Sequence, residues 1–552
     1  MNIWKFLALA SLTLPWLAAQ PVIRANNGIE NAMGYQTTLA PDSVFAIFGT
    51  GLGPAALVLA DGQNYLTTLA GTSITFTPVS GGTPVSARIV YTLAGQVAGL
   101  LPSSIAPGTY NVTVTYQSVV SSPETVTVAA RSLGIDSADN QGFGPAQATI
   151  GNVNNGLALV RLTTGSLPAT GFTWTLTPAH PGDGIVLWAT GGGADPANDT
   201  GGSSGDQTAA GNFQVSVDGT VITPFYSGTS SNYPGLWQVN FTLPQDIAAD
   251  CFASVQVTAT GMQSNTVSIA IAAPGQSTCT SPDPTNIANL LSPASLAKLD
   301  AGGIIVEGFF ALFKFPGYEE ASGNFLGFTA SEIAVVTGGP RYGSCYVNDV
   351  TGALSSYPGL PSKVYNAGPT IALAGPNIAA GTVEVIENPP AYYGLSLTPG
   401  TIQAGTYTIT GSGGTEIGPF TAQTIFPASF TPTNLSSITS IDHTQPLTIT
   451  WSGSAGVDRV VLGVATSALI GGTAEDPIEH NVAVNCNVDA SLGTYTIPAA
   501  ALAHLLLGNG AEVQVVGLTE KNAFTAAVVA GGQIDYGYFS YQPGNYVNVP
   551  IK

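Results

Sequence analysis

Short runs of alternating apolar and polar residues recur along the chain, separated by clusters of glycine and proline. Alternation with a period of two is the pattern of a β-strand that buries one face, and short strands at regular spacing are typical of sandwiches and barrels. The pattern therefore predicts an all-β protein. The strands that it predicts in the first quarter of the chain are Val44–Phe48, Ser73–Thr77, Tyr110–Tyr116 and Glu124–Val128.

The alternating pattern is repeated at an offset of about 140 residues. The segment PDSVFAIFGTGLG at 41–53 is in step with PGDGIVLWATGGG at 181–193. Self-similarity at a fixed offset indicates diverged copies of one structural unit. It predicts two β-sandwiches, which we name repeat 1 (residues 21–130) and repeat 2 (residues 133–273).

Single positions also correspond between the copies. The Gln-Val pair at 96–97 recurs at 238–239, and Trp188 takes the place of Phe48. A large aromatic residue kept at this position of the strand predicts a core position for Trp188.

Three segments resemble a known repeat family: IFGTGLGPA at 47–55, PGLWQVNFTLP at 234–244 and SNTVSIAIA at 264–272. The family is abundant in exported proteins of Solibacter-type acidobacteria and is related to the immunoglobulin-like IPT/TIG fold. The resemblance covers about residues 21–275 and implies tandem immunoglobulin-like sandwiches. The family has no assigned catalytic residues, so the resemblance transfers none.

Four cysteines follow the N-terminal segment, namely Cys251, Cys279, Cys345 and Cys486. An even count in an exported protein favours two disulfides, with three possible connectivities. Cys251 begins one predicted strand and Cys279 follows the next, so an antiparallel hairpin would bring them together. By elimination, Cys345 pairs with Cys486.

The second half of the chain continues the β-rich pattern after a linker at 274–284 that is rich in Ser, Thr and Pro. We expect a β-rich domain at 285–426 and a C-terminal β-rich domain at 427–552. The proposed Cys345–Cys486 bond crosses their boundary, so the two regions are either one unit or two.

The N-terminus predicts export. Residues 1–19 have one positive charge at Lys5, an apolar stretch over Phe6–Leu17 and small residues before the mature chain, which is the pattern of a signal peptide. No later segment is an apolar run of about 18 residues, so no membrane span is expected. The predicted location is extracellular, at the cell surface or periplasmic.

The charge balance excludes some partners. The chain has 12 Lys and Arg against 32 Asp and Glu, for a formal net charge of −20. Nucleic acids and anionic membrane surfaces are bound largely through Lys and Arg, so neither is expected as a partner.

A glycine-rich loop concentrates oxygen ligands. It holds Asp195, Asn198, Asp199 and Asp206. Calcium prefers six to eight hard oxygen ligands on a flexible loop. The loop is therefore a candidate calcium site, the one cofactor that the sequence suggests, although a solvated acidic loop would have the same composition.

Near the C-terminus, Tyr536 and Tyr538 would lie on one face of a strand, and an exposed aromatic row can stack on sugar rings. They are candidate carbohydrate contacts. The H-E-x-x-H, Walker and C-x-x-C patterns are missing and no spacing singles out an acid pair, so no catalytic residues are predicted.

These observations predict an exported, non-catalytic scaffold of β-sandwiches that binds an extracellular protein or polysaccharide through loops and edge strands. The alternative is a carbohydrate-binding or polysaccharide-active protein, in which the C-terminal half contacts the polysaccharide and the repeats are spacers. A third possibility is a structural subunit that assembles edge to edge.

Overall fold

The structure, a computed structural model, is all-β with a few short helices, as the alternating pattern predicted. It describes residues 20–25, 27–61, 65–152, 156–281, 286–337, 343–352, 361, 363–388, 392–426, 430–472, 477–508, 510–519, 523–524 and 534–552. The predicted signal peptide, residues 1–19, lies outside this part. None of the described helices is both long enough and apolar enough to cross a membrane.

Repeat 1 is a sandwich of two sheets. Its strands are β1 (Val22–Ile23), β2 (Ile29–Asn31), β3 (Thr38–Leu39), β4 (Val44–Thr50), β5 (Val58–Leu59), β6 (Thr72–Pro78), β7 (Val85–Ser86), β8 (Arg88–Leu93), β9 (Gln96–Leu100), β10 (Gly108–Tyr116), β11 (Val119–Val120) and β12 (Glu124–Val128). One sheet has the order β1-β4-β9-β8-β5 with β2 beside β4, and the other has the order β3-β12-β10-β6-β7 with β11 beside β10. The inward residues of the two sheets, among them Phe45, Ile47, Phe76 and Val112, are fully buried between them.

Repeat 2 has the same two-sheet plan. Its elements are β13 (Gly134–Ile135), β14 (Ala148–Asn152), β15 (Gly156–Val160), β16 (Gly165–Ala169), β17 (Phe172–Thr177), β18 (Gly184–Thr190), α1 (Thr208–Gly211), β19 (Gln214–Val217), β20 (Thr220–Ile222), β21 (Tyr226–Thr229), β22 (Trp237–Thr242), β23 (Asp250–Ala259), β24 (Met262–Gln263) and β25 (Val267–Ile271). One sheet has the order β16-β17-β15-β14-β18-β22-β21 with β13 beside β18, and the other has the order β20-β19-β23-β24 with β25 beside β23.

The sequence repeat is also a repeat of strand register. In repeat 1, Phe48 of β4 lies opposite Gln96 of β9. In repeat 2, Trp188 of β18 lies opposite Gln238 of β22. The core position predicted for Trp188 is wrong: it is only half-buried, because its neighbours Leu187 and Ala189 point inward and are fully buried. Phe48 is half-buried as well.

The C-terminal half is one unit. Its helices are α2 (Ile287–Leu290), α3 (Pro293–Asp300), α4 (Ala330–Thr337) and α5 (Ala499–Leu502). Its strands are β26 (Ile305–Phe315), β27 (Tyr318–Phe328), β28 (Ser344–Gly352), β29 (Lys363–Val364), β30 (Thr370–Gly375), β31 (Ile378–Asn388), β32 (Tyr392–Leu397), β33 (Gly405–Gly411), β34 (Phe420–Phe426), β35 (Thr431–Pro432), β36 (Leu447–Ser452), β37 (Arg459–Gly472), β38 (Pro477–Asp489), β39 (Thr494–Ile497), β40 (Gly510–Leu518), β41 (Ala523–Phe524) and β42 (Tyr536–Pro550).

A single large sheet joins the two regions that the sequence divided at residues 426 and 427. Its order is β28-β38-β37-β40-β42-β26-β27-β32-β31-β30-β33-β34, with β29 beside β27 and β41 beside β42. The last strand, β42, pairs in parallel with β26 near the start of the unit. One hydrophobic core extends from Val306 to Ile551, and a small sheet, β35-β36-β39, completes the unit.

Both predicted disulfide bonds are present. Cys251 bonds to Cys279, and Cys345 of β28 bonds to Cys486, which lies directly opposite it on β38. The described part of the segment predicted as a linker is bound to repeat 2: the N–H of Cys279 donates to the carbonyl of Leu162 at 3.1 Å.

Candidate functional site

The acidic loop that the sequence singled out lies between β18 and α1, where repeat 2 meets repeat 1. Asp195 and Asn198 are fully buried in this loop, and Asp199 contacts repeat 1. The loop is therefore part of a junction between two sandwiches rather than a free surface segment.

Asp195 organises the loop around its carboxylate. The hydroxyl groups of Ser204 and Thr229 each donate to it at 2.5 Å, and the N–H groups of Ser204 and Ala197 donate at 3.0 and 3.1 Å. Burial alone would raise the pKa of Asp195, but these hydrogen bonds to the charged form outweigh it and hold the pKa below the ordinary value of 3.8.

Asn198 closes the loop onto the neighbouring strand connection. Its Oδ1 accepts from the N–H of Gly235 at 2.6 Å, and its Nδ2 donates to the carbonyls of Gly202 and Ser230 at 2.8 and 3.3 Å. All of its partners are backbone groups, so the side chain satisfies polar groups that the irregular loop would otherwise leave unpaired.

Asp199 reaches across to repeat 1. Its carboxylate accepts from the hydroxyl of Ser103 at 2.6 Å and from the N–H of Ser103 at 3.2 Å. The Arg88 guanidinium of repeat 1 donates to the backbone carbonyl of Asp199. These contacts are charge-assisted hydrogen bonds, which are stronger than neutral ones.

Asp206 lies at the end of the loop and stays within repeat 2. Its Oδ1 accepts from the N–H and the hydroxyl of Thr208 and from the N–H of Ser227, at 2.6 to 3.0 Å. Burial alone would raise the pKa of Asp206, but these hydrogen bonds outweigh it and hold the pKa below its ordinary value. Protein donors thus occupy the carboxylates of all three acids of the predicted calcium loop.

Calcium binding by this loop stays a prediction. Within the described ranges, no group of three or more His, Cys, Asp or Glu residues is arranged to hold a metal ion. Carboxylates engaged by donors from their own chain would have to exchange those partners before they could coordinate a cation.

A second buried carboxyl group, Asp42, lies at the same junction and was not anticipated. It occupies the turn between β3 and β4 with a φ of +61° and is fully buried. Neither of its side-chain oxygens has a hydrogen-bond partner among the described residues. The indole Nε1 of Trp237 in repeat 2 points towards it without reaching regular hydrogen-bond geometry.

The environment of Asp42 favours its neutral form. Burial, and then the negative charges of Asp199 and Asp195, raise the pKa of Asp42 to about 8, against the weaker opposing effects of Trp237 and Arg88. At neutral pH this group therefore holds a proton inside the junction.

Further buried polar contacts lie at the junction. Thr190 accepts from the N–H of Val44 at 2.8 Å and donates to the carbonyl of Gly235 at 2.6 Å. Asn31 donates to the carbonyl of Ser132 at 3.1 Å. These partners could not be predicted from the sequence, because each is an ordinary turn or strand residue until the sandwiches are docked.

Tyr536 does not form the exposed row that the sequence predicted. It is only 6% exposed and belongs to a core with Leu299 and Ile333, while the ring of Tyr538 stacks on it with centroids 5.3 Å apart. The prediction of sugar contact at Tyr536 is therefore wrong, because the short helices α3 and α4 cover this face of the strand.

No family model matches the sequence, and no curated protein matches it either. Among solved structures it is similar to the chicken CNTN1 FN1-FN3 domains at 8% identity, covering 73% of this chain and 97% of that one, with a TM-score of 0.12. It is similar to the Bacteroides ovatus mixed-linkage glucan utilization locus protein SGBP-B at 10% identity, covering 84% of this chain and 86% of that one, with a TM-score of 0.12. It is also similar to the ICAM-5 D1-D4 ectodomain fragment at 9% identity, covering 95% of this chain and 98% of that one, with a TM-score of 0.11. TM-scores of this size do not indicate a shared overall fold.

Proposed function

We propose that this chain is an exported, non-catalytic scaffold whose docked β-sandwiches hold binding loops and strand faces in a fixed arrangement for an extracellular protein or polysaccharide partner. The observation that carries the proposal is that both junctions between its three units are built from buried, hydrogen-bonded contacts. Rigid spacing of binding elements is useful to a scaffold because it removes the ordering cost of binding.

The first junction joins repeat 1 to repeat 2 through the acidic loop. The Ser103–Asp199 and Val44–Thr190 hydrogen bonds cross it. At Gly235 of repeat 2 an added Cβ would lie 2.6 Å from the Leu100 side chain and 2.7 Å from the Val44 side chain of repeat 1, so the two sandwiches are in close contact there. Close packing and buried polar pairs oppose hinge motion between the sandwiches.

The second junction joins repeat 2 to the C-terminal unit. Asp300, at the end of α3, accepts from the N–H groups of Leu162 and Thr163, both at 2.9 Å, and from the Thr163 hydroxyl at 2.7 Å. A hydrophobic cluster surrounds these bonds and includes both cysteines of the Cys251–Cys279 disulfide. This bond therefore braces the junction itself.

The location and the non-catalytic role are supported by different observations. Two disulfides are typical of proteins that function in oxidising compartments outside the cytosol. The resemblance of residues 21–275 to an exported acidobacterial repeat family favours the same location. Asp199 bonds to repeat 1, and Asp195 and Asp206 accept hydrogen bonds within repeat 2, which is a structural use of groups that could otherwise serve chemistry.

The proposal is tested by expressing the full chain with its own N-terminus in a bacterium that secretes proteins. We expect export, cleavage after about residue 19 and two intact disulfides, all measurable by mass spectrometry. Small-angle X-ray scattering of the product should fit the single arrangement of units in the structure. Retention in the cytosol, or scattering that requires a mixture of arrangements, would contradict the proposal.

A further inference from the structure

Repeat 2 has three strands that have no counterpart in repeat 1. In repeat 1, the described residues 32–37 connect β2 to β3. In repeat 2, the corresponding connection from β14 to Ala179 contains β15, β16 and β17. We call these three strands the wing. Because repeat 1 completes the same two-sheet plan without it, the wing is not required for the sandwich to form.

The wing has one apolar face with a consistent register. Trp174 of β17 lies opposite Leu167 of β16. On its other side, the parallel pairing of Ala158 with Thr175 places Leu157 of β15 level with Trp174. Residues at paired positions share a face of a sheet, so Leu157, Trp174 and Leu167 form one row.

This face changes from buried to exposed along the strands. At the inner end, Leu159 and Leu176 are each 4% exposed. At the outer end, Phe172 is 53% exposed and Leu157 is 48% exposed. The rings of Phe172 and Trp174 contact each other edge to face with centroids 5.1 Å apart. The outer end is therefore an apolar aromatic platform that faces solvent.

The opposite face and the rim of the wing carry hydroxyl groups instead of charges. Thr173, Thr175 and Ser166 are exposed on the other face. The one charged residue of the described stretch 156–177 is Arg161, which is buried and donates to the carbonyls of Ala146 and Val160. In a chain with a net charge of −20, a wing without exposed charge favours a neutral partner.

The area of the wing and its edge strand distinguish a neutral protein partner from a neutral polysaccharide. Three strands of about five residues present a face of roughly 250 Å², which is far below the ~800 Å² per partner of a stable protein interface. The outer strand β16 contains Pro168, which lacks an N–H and so disfavours pairing with a strand from another chain. A short run of sugar rings is a better fit, because their apolar ring faces stack on aromatic side chains over a small area.

We propose that the outer apolar face of the wing binds a neutral polysaccharide, with Phe172 and Trp174 stacking on sugar rings. The proposal rests on the scaffold function and specifies its partner class. It places the contact in repeat 2, whereas the alternative drawn from the sequence placed it in the C-terminal half. The junction contacts of repeat 2 would hold this platform at a fixed angle to the other units.

The test is affinity electrophoresis of the mature chain, residues 20–552, in native gels that contain dextran, mixed-linkage β-glucan or galactomannan. Polygalacturonate is the anionic contrast. We expect at least one neutral polysaccharide to retard the chain and polygalacturonate not to. Phe172→Ala and Trp174→Ala should each weaken the binding by about tenfold, the loss expected of one stacked aromatic contact.

Two matched controls separate the platform from general effects. Thr173→Ala changes the opposite face of the same strand, and Phe225→Ala removes a 63% exposed aromatic residue elsewhere in repeat 2. Both should bind as the unchanged chain does. Thermal unfolding of each variant shows whether it is folded, and Phe172→Tyr, which keeps the ring, should restore binding.

Three results would overturn the proposal: no neutral polysaccharide retards the unchanged chain, the aromatic variants bind as well as Thr173→Ala, or Phe225→Ala loses binding equally. Concentration-dependent light scattering that disappears in Phe172→Ala would instead identify the platform as a contact between copies. Because export and rigid scattering are measured separately, a failure of sugar binding alone would leave the scaffold function in place.

Discussion

The protonated carboxyl group of Asp42 should make the repeat junction weaken as the pH rises. The pKa of this group is about 8 in the folded chain and 3.8 ordinarily, chiefly because of burial. Below pH 3.8 both states hold the proton, so the titration of Asp42 takes nothing from the stability. As the pH rises from there to about 8, the unfolded chain releases a proton that the folded chain keeps, so the free energy of unfolding falls.

Asp42→Asn removes this titration while it keeps the size and the turn conformation of the side chain, since Asn tolerates positive φ. Each pH unit in the window is equivalent to about 1.4 kcal/mol. We therefore expect the free energy of unfolding of Asp42→Asn, relative to that of the unchanged chain, to increase by about 4 kcal/mol between pH 4.5 and pH 7.5.

The assay is urea unfolding at three or four pH values, followed by tryptophan fluorescence, with the difference between the two chains as the readout. Using the difference cancels the other carboxylates, whose own titration acts on both chains. Asp61→Asn, at an exposed position of repeat 1, is the control for the loss of one carboxylate outside the junction. Parallel stability curves for Asp42→Asn and the unchanged chain would refute the reasoning.

Two further substitutions test the packing of the same junction. Ser103→Ala deletes the 2.6 Å hydroxyl donor to Asp199, and should lower the free energy of unfolding by about 1–3 kcal/mol in urea at pH 7; an unchanged midpoint would mean that this contact is not formed in solution. Gly192→Ala would place a Cβ 2.3 Å from the ring of the fully buried Trp237, so we expect a loss of about 1–3 kcal/mol. Gly184→Ala, where an added Cβ meets nothing within 4 Å, should change stability by less than about 0.5 kcal/mol, and equal effects of the two glycine substitutions would contradict the packing argument.

Local pattern was sufficient for the strands of the repeats. The alternation predicted Glu124–Val128, and β12 has the same bounds. The prediction of Val44–Phe48 falls two residues short of β4. Strands that bury one face have a strong period of two, and that period is visible without knowledge of the partner strands.

The local pattern could not predict whether a strand face is exposed, because another element can pack over that face. Tyr536 and Tyr538 share a strand face as predicted, but α3 and α4 pack over that face and bury Tyr536. In the same way, the acids of the loop at 195–206 have the composition of a solvated or calcium-binding loop. Only the docking of repeat 1 turns Asp199 into a bridge between sandwiches.

The chain by itself thus determined its all-β class, its internal repeat and its cysteine pairing. These depend on periodicity, on self-similarity and on the local geometry of the Cys251–Cys279 hairpin, after which the second pair follows by elimination. The tertiary structure decided the long-range pairings, such as the parallel contact of β42 with β26 that makes the C-terminal half one unit. It also decided the burial of Asp42 and the exposure of Phe172. The physical reason is that a charge or an aromatic ring has its chemical character set by what surrounds it, and those surroundings come from segments far apart in the sequence.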